Sequence, residues 1–583
     1  MQISTSSKWD RAQERPEDRR YPGVQGVVMF IIVAACTALV LVPSLFLLAE
    51  SFNTGDPQDF PAQQFGFANY SAMALDAKII GNTLRVAVVA TVAAVVIGFL
   101  LAWVLTRTSV PGRDVLERLL EIPFYVTPLV GALAWSILAS PESGFINQLW
   151  RAVGGSGALV NIYSAEGIAW VMAVFEGSVA FVMISAAMKA MDPALEESSR
   201  VLGASKLRTM LRITLPLVVP GVLGAAVFVF AEMLGSFAAA LVLGMPAHFY
   251  VITTAIWEMT LSYPPDYGRA AALGISLFAI MFVMLALYRW IVRRGNYATI
   301  SGKGFRPRTI DMGRGNYILA GLCWFYVAIA VFLPMVALIL TSFQRFATAL
   351  LPQAEFTLAN YITAFSLESV TSAIGNSITL GFVVATIGVV VMTLLVWIIY
   401  RSRAKGRGIV EYVVMFPQSV PRMVFGLALL WAWLHIPIPL YGTLWLLGLA
   451  YFTVLLPLGV RTLAGVVLQV DKSLEECARV CGATWAYQLR TITLPLLKPG
   501  ILAAWLLLFI ASVRELGVSI YLMGPDSKVI GPAIVNSWSS AGTELTSTIA
   551  VLQTGTVFIA VVVLLAVMRR LSHKKADDIY LNL

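Results

Sequence analysis

The sequence predicts an all-α membrane protein of about twelve transmembrane helices arranged as two parallel six-helix repeats. Three observations carry that prediction: a composition that requires lipid as its solvent, apolar runs of membrane-spanning length, and residue matches between the two halves of the chain. Hydrophobic residues make up 58% of the 583 positions, charged residues 13%, and the mean hydropathy is +0.81. Soluble domains do not reach these values. Apolar runs of about 20 residues, the length that crosses a hydrocarbon core, centre on Val27 to Leu48, Thr83 to Leu105, Leu119 to Leu138, Ile168 to Met188, Leu217 to Leu243 and Ala271 to Val292. The second half supplies Ile318 to Leu340, Ile378 to Tyr400, Ile409 to Trp433, Tyr441 to Val460, Leu496 to Met523 and Ile549 to Val567. Helix is the state expected for each, because lipid offers the backbone no other hydrogen-bond partner.

Orientation follows from the basic residues. With both termini in the cytosol, most of the 41 Lys and Arg fall in the tails and inner loops, and only Lys78, Arg151, Arg269, Arg345 and Lys528 fall outside. This positive-inside pattern also accounts for the net charge of +9, so no nucleic-acid partner is implied. The first span follows an Arg-rich tail, but it is too long for a signal peptide and lacks a small-residue cleavage site; it is expected to stay in the mature protein.

The halves match at many positions. Leu41-Val42-Pro43 with Ser51-Phe52 corresponds to Leu333-Pro334 with Ser342-Phe343; Ala68-Asn69-Tyr70 to Ala359-Asn360-Tyr361; Gly81-Asn82 to Gly375-Asn376; and Trp103 and Arg107 to Trp397 and Arg401. An even number of spans per half makes the repeats parallel, related by an axis along the membrane normal. The expected division is a cytosolic tail over 1–26, a first half over 27–294, a basic, Gly-rich cytosolic linker over 295–316, a second half over 317–570 and a C-terminal tail over 571–583.

The clearest match is cytosolic. Glu197-Ser198-Ser199 is followed by Gly203, Ile213, Leu215 and Pro216; Glu476-Cys477-Ala478 is followed by Gly482, Ile492, Leu494 and Pro495. Both fit E-A-A-x3-G-x9-I-x-L-P, between the fourth and fifth spans of their half. Asp192 is a natural N-cap with Pro193 in the first turn, and Gly203 is placed where a helix ends in a left-handed residue. Ser205 then caps a second short helix expected to end near Pro216. Asp471, Gly482, Thr484 and Pro495 repeat the arrangement. Cys477 and Cys481 lie four apart on the second copy, where two thiolates alone make a poor metal site; they read as fillers of small-residue positions.

This motif resembles the coupling motif of permease subunits in ATP-driven importers that use a binding protein. The resemblance narrows to fused twelve-span permeases of the ferric-iron type, with thiamine, phosphonate and polyamine relatives. It rests on Ala231-Glu232-Met233-Leu234-Gly235, Arg514-Glu515-Leu516-Gly517, the Pro123 to Gly131 and Pro417 to Gly426 stretches, and the linker Tyr297 to Gly304. It implies the type I importer permease fold, a place in the bacterial inner membrane, two copies of a cytosolic ATPase docking on the two elbows, one periplasmic binding protein, and no cofactor in this chain, with ATP and Mg held by the ATPase. Ferric iron is the cargo it favours. One departure is Arg422, directly after Pro421, where many relatives have a small residue.

Ionisable residues inside a membrane are costly and mark pathways. The candidates are Glu176, Glu232, Arg422, Arg514 and Glu515. Glu232 and Glu515 fall at similar depths of homologous helices, so they can face each other across the interface between halves as a polar gate; alternatively, Arg422 or Arg514 neutralises a carboxylate and fixes helix register. Arg514 and Glu515, about 100° apart on a helix, should find partners on other helices. Neither His248 nor His435 joins a Tyr/His/Asp cluster with ligand spacing, so no ferric-ion cage is expected. ATP hydrolysis is not expected either: Ser301-Gly302-Lys303-Gly304 lacks the spacing and the following Ser/Thr of a phosphate loop. A proton-driven secondary carrier would also have twelve spans and buried carboxylates. It has no reason to keep two coupling motifs.

Overall fold

A computed structural model of the chain describes residues 23–56, 64–192, 194–294, 311–402 and 406–581. The first half contains α1 (Gly23–Ser51), α2 (Ala77–Arg107), α3 (Pro128–Ala139), α4 (Ala165–Lys189), α5 (Ala194–Val201), α6 (Lys206–Leu234), α7 (Ile252–Leu261) and α8 (Tyr267–Arg294). The second repeats them as α9 (Gly315–Ser342), α10 (Glu368–Tyr400), α11 (Arg422–His435), α12 (Leu444–Val467), α13 (Lys472–Val480), α14 (Arg490–Val513), α15 (Ile530–Ser540) and α16 (Thr543–Leu581). Among the described residues no strand forms. Most of the expected tail over 1–26 and linker over 295–316, including Tyr297 to Gly304, lies outside the described residues.

Ten helices are long and apolar enough to cross a membrane, and twelve if two sharply bent pairs each count as one span. Four of the expected spans are therefore not continuous. Leu119 to Leu138 is broken by Pro123 and Pro128 into short segments, of which α3 is the longest. Ile409 to Trp433 bends by 108° between Arg407–Ser419 and α11, at Pro417 and Pro421, which lack the N–H a helix needs and clash with the preceding turn. Leu217 to Leu243 stops at Leu234, and Leu496 to Met523 stops at Val513. The latter two breaks place charged residues at helix ends.

The repeat is visible in individual hydrogen bonds. Asn69 donates to the carbonyls of Ser51 (3.1 Å) and Asn53 (2.6 Å), while Asn360 donates to those of Ser342 (3.0 Å) and Gln344 (2.8 Å). Tyr70 and Tyr361 hydroxyls meet Ser51 and Ser342 at 2.7 and 2.9 Å. Asn82 holds the carbonyl of Tyr250 and Asn376 that of Lys528. The shared Ala-Asn-Tyr and Gly-Asn residues thus have one job each, done twice: they tie the loops outside the helices to the helix ends. Within each half, α2 packs along α4 and α6, and α10 along α12 and α14. The first helix of each half also reaches across the interface: α1 packs on α11, and α9 on α3.

Candidate functional site

The cytosolic elbows form first from local rules. Asp192 accepts from the Ala194 N–H at 2.9 Å, and Asp471 from that of Ser473 at 2.9 Å. The backbone and side-chain hydrogen bonds from Ser473 hold the Asp471 carboxyl below the usual range. Each coupling helix then closes at a glycine with φ of 83° (Gly203) or 81° (Gly482), the left-handed conformation that glycine adopts without steric cost. Ser205 accepts from Arg208 N at 3.3 Å and Thr484 from Tyr487 N at 3.4 Å, starting the next helix. That helix does not end near Pro216 or Pro495. It runs through one π turn, Met210–Thr214 or Leu489–Thr493, straight into the membrane helix; the widened turn accommodates a proline in the first turn beyond it, where the missing N–H would otherwise interrupt the ladder. Ile213, Leu215 and Pro216, with Ile492, Leu494 and Pro495, therefore form a continuous shaft from elbow to membrane. Glu476 is exposed and Glu197 partly so.

Within the membrane, Glu176, Glu232, Arg422, Arg514 and Glu515 come together around one cavity of about 300 Å³ between the halves. Glu176 comes from α4, Glu232 from the last turn of α6, and Arg422 from the first turn of α11; Arg514 and Glu515 follow the end of α14. The helices Leu215–Leu234 and Leu494–Val513 are the same length. Counted from their matched prolines, Glu232 lies opposite Ala511 and not opposite Glu515. Glu515 instead turns into the protein, 1% exposed, takes a hydrogen bond from the Val518 N–H at 3.2 Å and meets the Arg422 guanidinium at 3.2 Å. At Glu515 the charge is met by Arg422, one of the two cations expected as partners for these carboxylates.

Close backbone approach makes this pairing possible. A Cβ on Gly517 would lie 3.1 Å from the Met423 nitrogen and 3.2 Å from Arg422 Cβ, and one on Gly235 would lie 3.3 Å from Pro421 Cβ. The glycine that follows each glutamate lets both helix ends press against the Pro421-Arg422 turn. Arg422 is consequently held at its base while 47% of its side-chain surface stays open to the cavity. Glu176 Oε2 is buried with no hydrogen-bond partner among the described residues.

Sequence reasoning missed three participants. Arg461, assigned to an inner loop, belongs to α12 and lines the same cavity. Glu196 and Arg107 form a buried ion pair at 3.1 Å at the base of the first elbow; the Glu-Glu doublet and the Arg107/Arg401 match were the available signals. The cavity therefore carries three carboxylates and three guanidiniums. Among the described residues, no group of three His, Cys, Asp or Glu side chains has metal-holding geometry.

The family described as "binding-protein-dependent transport system inner membrane component" matches residues 94–296 and again 396–577. The chain belongs to that family. Its two copies of the domain make it a fused permease, a multi-pass inner-membrane protein. Among curated relatives, the Fe(3+)-transport system permease protein FbpB 2 of Haemophilus influenzae is 25% identical over 470 residues, 80% of this chain and 85% of the relative. The ferric transport system permease protein FbpB of Actinobacillus pleuropneumoniae is 25% identical over 79% of this chain and 66% of its own length. The spermidine/putrescine transport system permease protein PotB of Escherichia coli is 29% identical, with 94% of it matched by 45% of this chain. A half-length permease is thus similar to half of this one, as fusion of two six-span units requires.

Proposed function

We propose that this permease moves ferric iron, released by a periplasmic binding protein, into the cytosol, driven by two copies of a separate ATPase that dock on the α5 and α13 elbows. Both termini lie in the cytosol in this reading, and ATP and Mg belong to the ATPase. The observation that carries it is the elbow written twice: two helix-glycine-helix units, each continuous with a membrane helix that ends at the charged cavity. A rigid-body push on an elbow displaces the shaft, and the shaft ends carry Glu232 on one side and Arg514 with Glu515 on the other, as alternating access requires.

The cavity suits transit. Three carboxylates reduce the cost of bringing a hard cation into a low-dielectric interior, while three guanidiniums cancel their charge, so no standing cation trap results. Affinity then resides in the binding protein. The ferric names of the long relatives favour iron; the spermidine/putrescine relative supports a polyamine as the second reading. The test is to purify the partner binding protein with its ligand, identify that ligand by elemental analysis and mass spectrometry, and follow its uptake into proteoliposomes containing this chain and its ATPase. ATP-dependent iron uptake is expected; uptake of an organic cation without iron would replace the cargo and keep the importer.

A further inference from the structure

The expected span Ile409 to Trp433 is two helices that point in different directions. The second, α11, packs along α1, and His435 at its end meets the ring of Phe46 at 4.8 Å, near the end of α1. The other end of α11, at Arg422, therefore lies toward the start of α1. Before it comes the helix Arg407–Met415, and the segment Arg407–Ser419 turns by 108° from α11. With α11 aligned along a spanning helix, a turn of that size lays the helix Arg407–Met415 close to the membrane plane. One face of it is held by the protein: Val414 is buried, the Tyr400 hydroxyl at the end of α10 donates to Glu411 at 2.8 Å, and the helix packs on α1, α10 and α12. The opposite face is bare. Ile409 is 69% exposed and Tyr412 72% exposed, three residues apart and so on one side of the helix. Val27, Phe30 and Ile31, in the first turns of α1, are exposed as well, so bare apolar side chains gather at this end of α1. Arg407, also exposed, opens the short helix.

We infer that the helix Arg407–Met415 is a membrane-surface helix whose Ile409 and Tyr412 sit in the headgroup zone of the leaflet where α1 begins, and that this lipid seat positions Arg422. At that depth an isoleucine reaches the acyl boundary, a tyrosine buries its ring while its hydroxyl stays wet, and a neighbouring arginine meets anionic headgroups. Continuity with the bare apolar start of α1, a spanning helix, selects lipid over a soluble partner as the occupant of this face. The seat is mechanically close to the cavity. Six residues, 416–421, join it to Arg422; Pro417 and Pro421 restrict the connection, and Phe416 packs against Phe278 of α8 with ring centroids 5.6 Å apart. Tilting the short helix therefore moves the guanidinium that meets Glu515. The lipid seat is independent of the cargo, and its assignment to the cytosolic leaflet rests on the proposed orientation.

The test uses the complete complex of permease, ATPase and loaded binding protein in vesicles of phosphatidylethanolamine and phosphatidylglycerol. Ile409 or Tyr412 is replaced by the photoreactive residue p-benzoylphenylalanine, the vesicles are irradiated, and adducts are identified by mass spectrometry. Phospholipid adducts are expected at both positions, as at the exposed Leu322 of α9, and none at Leu202, exposed beside Gly203 on the first elbow. Adducts to the ATPase at 409 and 412, or no phospholipid adduct at either, overturn the seat. For the positioning of Arg422, Ile409→Ser combined with Tyr412→Ser should lower uptake of the binding protein's own ligand per ATP hydrolysed by about threefold or more, with the thermal midpoint in detergent unchanged. Ile409→Leu combined with Tyr412→Trp keeps an interfacial pair and should restore the ratio. An unchanged ratio in the serine pair, or an equal loss in the Leu and Trp pair, overturns the positioning role. Should the serine pair fail to accumulate in the membrane, Tyr412→Ser alone is read in its place by the same criterion.

Discussion

Arg422 and Glu515 show how one substitution site sets the chemistry of the cavity wall. The carboxylate is buried and has two partners, the Val518 N–H and the Arg422 guanidinium, whereas the guanidinium is half open to the cavity. Removing the cation leaves a buried charge with a single hydrogen bond; removing the anion leaves a cation that water in the cavity can still solvate. Arg422→Ala should therefore lower the stability of the purified protein by about 1–3 kcal/mol, read as a fall in thermal midpoint in detergent. Glu515→Gln retains an acceptor for Val518 and should cost less. The opposite ranking would show that Arg422 is solvated independently and that the pair does not fix the α11 turn. Glu232, which lines the cavity without an ion-pair partner among the described residues, differs again: Glu232→Gln should slow uptake while leaving thermal stability and binding-protein docking unchanged, measured by transport in proteoliposomes beside a melting curve.

For the elbow elements, the space around the two bend glycines decides what a mutation tests. A Cβ on Gly203 or Gly482 would meet nothing within 4 Å, so a side chain there causes no clash inside this chain, and its cost is the backbone conformation alone, about 1–2 kcal/mol for an ordinary L-residue in the left-handed region. Gly203→Val and Gly482→Val should uncouple hydrolysis from uptake, and Gly203→Asn, which tolerates that conformation, should largely restore coupling. Equal behaviour of Val and Asn in the coupling assay would mean that side-chain bulk against a partner matters and the bend does not. These bends were readable in advance because a helix stop is a local event written in a few residues: Asp192, Gly203 and Ser205 each act on their neighbours. The continuity of the shaft was not readable. Pro216 and Pro495 announce a helix end by local rules, and only the π turn, a backbone adjustment with no sequence code of its own, carries the helix past them. The same limit hid the breaks at Leu234 and Val513, where an unbroken apolar run in lipid looks like a longer span, and it hid Glu196, which differs from Glu197 only in the face of α5 it occupies.

Across the whole molecule, the repeat builds two elbows in one chain. Hydropathy carried the number of membrane segments, because it records the solvent each segment meets; the crossed packing of α1 on α11 and α9 on α3 depends on contacts between residues hundreds of positions apart and leaves no such mark. Fusion has a stoichiometric consequence. A half-length permease must pair with a second copy or a homologous partner to present two elbows, whereas this chain presents both and already brings the two halves of the cavity together. In the proposed docking, a two-fold symmetric ATPase pair offers two equivalent grooves, which one permease would fill. Native mass spectrometry of the purified assembly should find one copy of this chain with two ATPase subunits, and an assembly in which Gly482→Val weakens one dock should lose a single ATPase before both. Two permease chains per complex would mean that each chain uses only one elbow.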